Sequence, residues 1–384
     1  MFEVFYRFFV LGCMSFGGPV AHIGYFQREF VEKRHWIEEG TFSTGLSLCQ
    51  FLPGPASSQL GMYIGYHRAG YLGALAAFVG FTFPSFALLT LAAVYSAKLG
   101  DSTVLALLIS AAKLLAVVVV ADAIWTMAKK FLTDAVTALV CFVSAAWILW
   151  QTGLVAQLMP IVIAGVLGWV FIRKPESVAP KAREGVNLTQ TVALFGVFAA
   201  LLVLPALASG SGLISVFNHF YQAGSFVFGG GHVVLPLLQP LIGDAVSGDA
   251  LVEGYAAAQL VPGPMFTIAS YIGASMDGIH PVLGSVIATL AIFLPGALLL
   301  FAVLPVWQAV MSHHKFAGAV TLINAAVVGL LVAAFYQPVW VSAVHGIADI
   351  VAVVVGFAVM RKFNISVFWL LGGMLAYVVA SSMI

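Results

Sequence analysis

Gln50-Phe51-Leu52-Pro53-Gly54-Pro55 lies near the middle of an apolar run covering residues 41–67. Proline has no N–H and its ring clashes with the preceding helical turn. The residue before a proline avoids helical angles. Two prolines around a glycine therefore divide this run into two half-helices. Pro55 opens the second, at a position where proline is favoured. The free N–H groups of that half-helix face the break. A helix N-terminus carries roughly half a positive charge and is suited to anions.

The stretch occurs twice. Gln259-Leu260-Val261-Pro262-Gly263-Pro264 repeats it, and other pairs keep the same order. Ser15-Phe16-Gly17-Gly18-Pro19 resembles Val227-Phe228-Gly229-Gly230-Gly231, and Tyr63-Ile64-Gly65 matches Tyr271-Ile272-Gly273. Phe81-Thr82-Phe83-Pro84 resembles Ile292-Phe293-Leu294-Pro295, and Lys113 falls opposite Asn324. An offset held between 208 and 212 residues over five matches marks a tandem duplication. The division it predicts is a repeat over 1–173, a polar linker with one apolar helix over 174–210, and a second repeat over 211–384.

Composition sets the solvent. The chain of 384 residues is 62% apolar and 8% charged, with mean hydropathy +1.06. Soluble domains carry about 25% charged residues, so a soluble enzyme, a nucleic-acid binder and a disordered chain are excluded. The fold class expected is an all-α polytopic membrane protein in contact with the lipid bilayer, because helices satisfy their own backbone in lipid. Apolar segments run 2–27, 41–67, 70–98, 104–127, 132–151, 154–172, 189–208, 213–238, 250–277, 282–311, 316–336, 341–360 and 363–384. The first residues lack a basic leader before the apolar run, which argues against a cleaved signal peptide. If each half crosses an even number of times, segment 189–208 alone inverts the second copy, as in many secondary transporters.

Basic residues give the orientation. If every segment spans, eleven Lys/Arg lie on the N-terminal side and four on the other. If 2–27, 41–67 and their partners re-enter instead, the split is fourteen to one, with Lys113 inside the membrane. The positive-inside rule prefers the second arrangement, in the cytoplasmic (inner) membrane, with the N-terminus cytoplasmic and the C-terminus outside.

Other residues are candidates for chemistry. His22 and His232 follow the two glycine breaks, where an imidazole can donate to an oxyanion or carry a proton. The alternative for each is a hydrogen-bonded core histidine. Lys113 lies ten residues into 104–127, where a cation is costly and usually functional; its alternative is a pair with a buried acid. Asp122, nine residues on, faces away from it on the same helix. Asp122, His345 and Asp349 are proton-coupling candidates; the last two are spaced i, i+4 for contact on one helix face, and a local hydrogen bond is their commoner role. Residues 28–39 (REFVEKRHWIEE) read as an interfacial helix. Cys13, Cys49 and Cys141 show no disulfide or metal spacing. No metal, nucleotide or other cofactor motif occurs, and no enzyme signature.

The pattern FGGPVAHIGYFQREFVEKRHW, then QFLPGPASSQLGMYIGY over 50–66, then FxxP at Pro84, resembles the chromate ion transporter family in its long, two-domain form. FGGGHVVLP and AQLVPGPMFTIASYIG carry the counterpart in the second half. The resemblance implies secondary transport of chromate, with sulfate as a competing oxyanion, export across the cytoplasmic membrane, a role in chromate resistance, and no enzymatic step. The candidate substrate site comprises Gly17, Gly18, Pro19, His22, Pro53, Gly54, Pro55, Lys113, Gly230, Gly231, His232, Pro262, Gly263, Pro264 and Asn324. Antiport with protons, a homodimer, a transporter of another anion and an anion channel of the same architecture are all compatible with the sequence. Gly231 in place of Pro19 and Asn324 in place of Lys113 make the halves unequal and favour one bound anion.

Overall fold

The structure, a computed structural model, describes residues 1–16, 18–99, 103–151, 154–172, 188–207, 212–227, 234–307, 314–363 and 365–382. Helices dominate, and no strand occurs among the described residues. The first copy is α1 (Phe2–Met14), α2 (Gly18–Phe26), α3 (Glu39–Phe51), α4 (Ala56–Leu99), α5 (Thr103–Phe131), α6 (Ala135–Trp150) and α7 (Leu154–Phe171). The single helix α8 (Leu188–Leu207) follows. The second copy is α9 (Leu213–Phe226), α10 (Val234–Ile242), α11 (Gly248–Leu260), α12 (Ile268–Ala274), α13 (Pro281–Val303), α14 (His314–Ala334), α15 (Ile347–Phe363) and α16 (Val367–Ser382). The helices follow the apolar segments; α1 ends just before the first glycine motif, and the Pro-Gly-Pro motifs separate α3 from α4 and α11 from α12. Among the described residues, four stretches are long and apolar enough by length and composition to cross a membrane: Ala56–Ser96, which a kink at Ala69–Gly70 divides, Ala106–Phe131, Pro281–Val306 and Ala317–Ala343.

Each interrupted segment doubles back. Phe8 of α1 packs on Phe26 and Phe30, with ring centroids 5.4 Å and 4.6 Å away, and Glu3 reaches Arg34 at 3.5 Å. Near the end of α3, Pro53 meets Gln59; near its start, the Tyr63 hydroxyl donates to the Thr41 carbonyl at 3.2 Å. Arms of 13 residues are about 20 Å long, short of the ~30 Å hydrocarbon core. These are helical hairpins in which neither arm is long enough to cross alone. A further reversal divides α4, where Ala69 and Gly70 (φ +64°) leave helical angles and Gly65 packs against Gly73.

The duplication is visible in the packing. A Cβ on Gly12 would lie 2.7 Å from the Phe81 carbonyl oxygen; on Gly224, its counterpart, 2.1 Å from that of Ile292. Gly45 against Tyr63 is repeated by Gly254 against Tyr271, and Gly65 against Gly73 by Gly273 against Gly284. Small residues let membrane helices approach to backbone contact.

The copies also exchange helices. α5 packs on α15 and α16 of the second copy, and α14 packs on α6 and α7 of the first. Asp122 and Arg361 pair at 2.7 Å across one exchange, and Gly318 meets the Gly168 and Ile172 carbonyls in the other. The two sequence repeats therefore interlock instead of forming separate lobes.

Candidate substrate site at the crossed helix breaks

The two Pro-Gly-Pro breaks meet the two glycine breaks crosswise. Gly54 N–H donates to the Val227 carbonyl at 2.7 Å, and Gly263 N–H donates to the Ser15 carbonyl at 2.9 Å. Val227 ends α9 and Ser15 ends α1, so the Pro-Gly-Pro turn of each copy closes onto the first hairpin of the other. Such reciprocity is the mark of a two-fold relation. Gly54 and Gly263 hold nearly the same backbone, at φ +113° and +110°. L-residues with a side chain avoid such angles, which explains glycine at both positions.

The FxxP motifs complete the crossing. A Cβ on Gly54 would lie 3.1 Å from the Gly296 Cα, and one on Gly263 would lie 2.8 Å from the Ser85 Oγ. Ser85 and Gly296 follow Pro84 and Pro295, so each again serves the opposite copy. Gln59 ties the crossing together: its Nε2 donates to the Pro53 and Gly296 carbonyls, both at 3.0 Å.

The two breaks then part in chemistry. After Pro55 come Ala56-Ser57-Ser58-Gln59, opening the first arm of α4. The N–H groups at a helix start have no intrahelical acceptor, and here they face the break beside the Ser57 and Ser58 hydroxyls. Gln59 N–H already bonds the Pro55 carbonyl at 2.9 Å. Ser15 Oγ, Ser58 Oγ, Gln59 Oε1 and Thr82 Oγ1 are buried without a hydrogen-bond partner. An unpaired buried polar group costs about 1–3 kcal/mol, so four on neighbouring elements mark a place that a polar ligand or water completes. After Pro264, in contrast, Met265-Phe266-Thr267 forms a 3₁₀ turn. Thr267 Oγ1 donates to the Pro264 carbonyl at 2.6 Å and Ser270 Oγ to the Thr267 carbonyl at 2.8 Å. Around the second break these hydroxyls are satisfied locally, and the unpartnered polar cluster belongs to the first.

His22 stands behind this pocket, 1% exposed. Its Nε2 lies 3.2 Å from the Ser15 carbonyl and its Nδ1 lies 3.3 Å from the Ser57 Oγ. A carbonyl only accepts, so Nε2 carries the proton; in the neutral ring Nδ1 accepts from the Ser57 hydroxyl. The ring sits edge-on against Phe81 at 5.2 Å.

The other sequence candidates fall in several places. Pro53, Gly54, Pro55, Pro262, Gly263, Pro264, Gly18 (φ +73°) and His22 belong to the four breaks. Pro19 is described by its backbone alone, in α2. Gly17, Gly230, Gly231 and His232 lie outside the described residues, as does the linker over 173–187. Lys113 is half-buried on α5. Leu115, two residues on, shares an apolar cluster with Leu260, the last residue of α11 before the second Pro-Gly-Pro break. Asn324 is 8% exposed on α14. Asp122 is held by Arg361. His345 lies before α15 and not on it, so the i, i+4 helix-face geometry expected for His345 and Asp349 does not form. Asp349 instead accepts from the His345 and Gly346 N–H groups at 2.9 Å and 3.1 Å and from the Tyr377 hydroxyl at 2.8 Å. Residues 27–33 form a π-helix whose Glu29 pairs with Arg34 at 2.6 Å.

Sequence reasoning missed Ser15, Ser57, Ser58, Gln59, Thr82 and Ser85. One signal was present: three consecutive polar residues directly after a break in an otherwise apolar run.

The sequence model of the family described as chromate transporter matches residues 2–169 and 214–379, once per copy. Among individual proteins, a chromate transport protein of Cupriavidus metallidurans is 30% identical over 302 residues, 78% of this chain and 72% of that protein. A probable chromate transport protein of Synechococcus elongatus is 28% identical, covering 85% of this chain and 81% of the relative. An uncharacterized transporter of Methanocaldococcus jannaschii is 26% identical across 98% of this chain and 94% of its own length. No solved structure matches the chain. Two family matches over interlocked, duplicated, apolar helices lead to one conclusion: the chain belongs to the chromate transporter family.

Proposed function

We propose that this protein exports chromate, or a related tetrahedral oxyanion, across the cytoplasmic membrane as a secondary transporter. The observation that carries the proposal is the first-copy break, where the start of α4 meets the buried, unpartnered hydroxyls of Ser15, Ser58 and Thr82. Oriented N–H and hydroxyl donors suit a dianion. Lys113 serves as counter-charge from α5. An uncharged donor set with one cation binds weakly enough for release.

Export is the downhill direction. Moving one charge through 100 mV is worth ~2.3 kcal/mol, so a dianion leaving a negative interior gains ~4.6 kcal/mol. We place proton coupling at His22, because Asp122 and Asp349 are already committed to Arg361 and to the N–H groups and hydroxyl described above. Since the copies interlock, we propose that access alternates by movement of the hairpins against the exchanged helices. Sulfate competes for the same donors, and a homodimer is the assembly we expect.

Lys113→Ala tests the counter-charge. Chromate uptake into everted vesicles with an inside-positive potential is expected to fall at least about tenfold at low chromate, equivalent to ~1.4 kcal/mol of binding. Uptake within twofold of wild type would remove Lys113 from the site and leave the α4 start as the binding element. Saturable uptake with counter-exchange is expected of a carrier; single-channel currents in bilayers would instead favour an anion channel of this architecture.

A further inference from the structure

A cavity of about 280 Å³ shares no lining residue with the crossed breaks. Its wall carries four carboxamides, Gln151, Gln157, Gln239 and Gln337, set among apolar residues such as Leu149 and Ala334. Among the described residues its lining includes no Asp, Glu, Lys, Arg or His. Gln157 Oε1 is buried and has no hydrogen-bond partner.

The backbone around the cavity is as telling as the side chains. Gln151 caps the C-terminus of α6, Gln239 sits in the last turn of α10, and Ala334 ends the regular part of α14. A helix C-terminus carries about half a negative charge. The α6 and α10 ends on the cavity give it a negative potential without a carboxylate. α14 continues past Ala334 as a π-helix over Phe335–Trp340 that contains Pro338. Gln337, at φ −133° and ψ 113°, departs from the helix at the same point.

Carboxamide and backbone oxygens at helix C-termini are the ligands of weakly held monovalent cations. Divalent cations call for carboxylates, and no group of three His, Cys, Asp or Glu able to hold a metal occurs among the described residues. We propose that this cavity binds a monovalent alkali cation, sodium in the first instance, through the carboxamide oxygens of Gln151, Gln157, Gln239 and Gln337 and the C-terminal ends of α6 and α10. Gln239 lies five residues from Val234, about 7.5 Å along α10, so cation occupancy bears on the helix that begins directly after the second glycine break. The inference concerns the cation alone and stands whatever anion the protein carries.

The test is the melting temperature of the purified full chain in detergent. Sodium or potassium chloride is titrated against choline chloride at constant total chloride, with and without chromate. A ligand that binds the folded state raises the melting temperature. Sodium is expected to raise it saturably and choline to leave it flat. In Gln157→Leu the sodium midpoint should move up at least tenfold, while any chromate shift is unchanged. If Gln157→Leu fails to accumulate, Gln337→Ala, on an exposed residue, carries the same comparison. Equal curves for sodium, potassium and choline would overturn the proposal. So would loss of the chromate shift in place of the sodium shift, which would make the cavity an anion site. A sodium shift with no chromate shift supports the cation site and counts against the oxyanion reading.

Discussion

Gly263→Val should abolish chromate uptake while leaving an inserted protein. Gly263 holds φ +110°, and an added Cβ would meet the Ser85 Oγ at 2.8 Å. The backbone strain alone costs about 1–3 kcal/mol, and a branched side chain there must push apart the second Pro-Gly-Pro turn and the FxxP motif of the first copy. The Gly263-to-Ser15 hydrogen bond breaks with it, and Ser15 is also the acceptor that orients His22. A change in the apolar second break thus reaches the polar pocket of the first. The measurement is everted-vesicle uptake, normalised to the amount of monodisperse protein in detergent. Gly263→Val with uptake within twofold of wild type would show that the crossing does not shape the pocket.

Gln59→Glu is the second large effect, and it isolates charge from shape. The side chains are nearly isosteric. Gln59 uses both amide hydrogens, on the Pro53 and Gly296 carbonyls. A carboxylate would turn acceptors toward acceptors and place negative charge beside the proposed oxyanion. Juxtaposed like charges cost several kcal/mol, so uptake should fall at least about a hundredfold at neutral pH. Gln59→Met, which loses the bonds without adding charge, should fall less. If the two variants lose equal activity, Gln59 braces the crossing and the anion binds elsewhere.

Much of this arrangement was legible in the sequence, for identifiable reasons. Proline and glycine act on the backbone locally, so the breaks at Pro53–Pro55 and Pro262–Pro264 could be located from covalent geometry alone. The duplication was legible because paired motifs kept a near-constant offset. Charge counting favoured hairpins, and the arms do double back. What the sequence did not show was who meets whom. The closing of Gly54 onto Val227 and Gly263 onto Ser15 is a contact between distant elements, and no local pattern encodes it. The exchange of α5 and α14 between copies is hidden for the same reason. Gln59 was passed over because a lone polar residue in an apolar run has many bland roles; only the two carbonyls it bridges assign it one. The His345–Asp349 spacing misled because a helix was assumed to include both, whereas α15 begins at Ile347. Its preceding turn lets Asp349 accept from backbone N–H groups instead.

The central claim is that an oxyanion is held at the start of α4 by the first-copy break. Potential-driven chromate uptake into everted vesicles, compared between wild type and Ser58→Ala, tests it most directly. Ser58 is almost fully buried, at 2% exposure, and the substitution only removes its unpartnered hydroxyl. The account predicts saturable, sulfate-inhibited uptake by wild type, and at least a tenfold rise in the half-saturating chromate concentration for the variant. Unchanged half-saturation in a normally folded variant would contradict it.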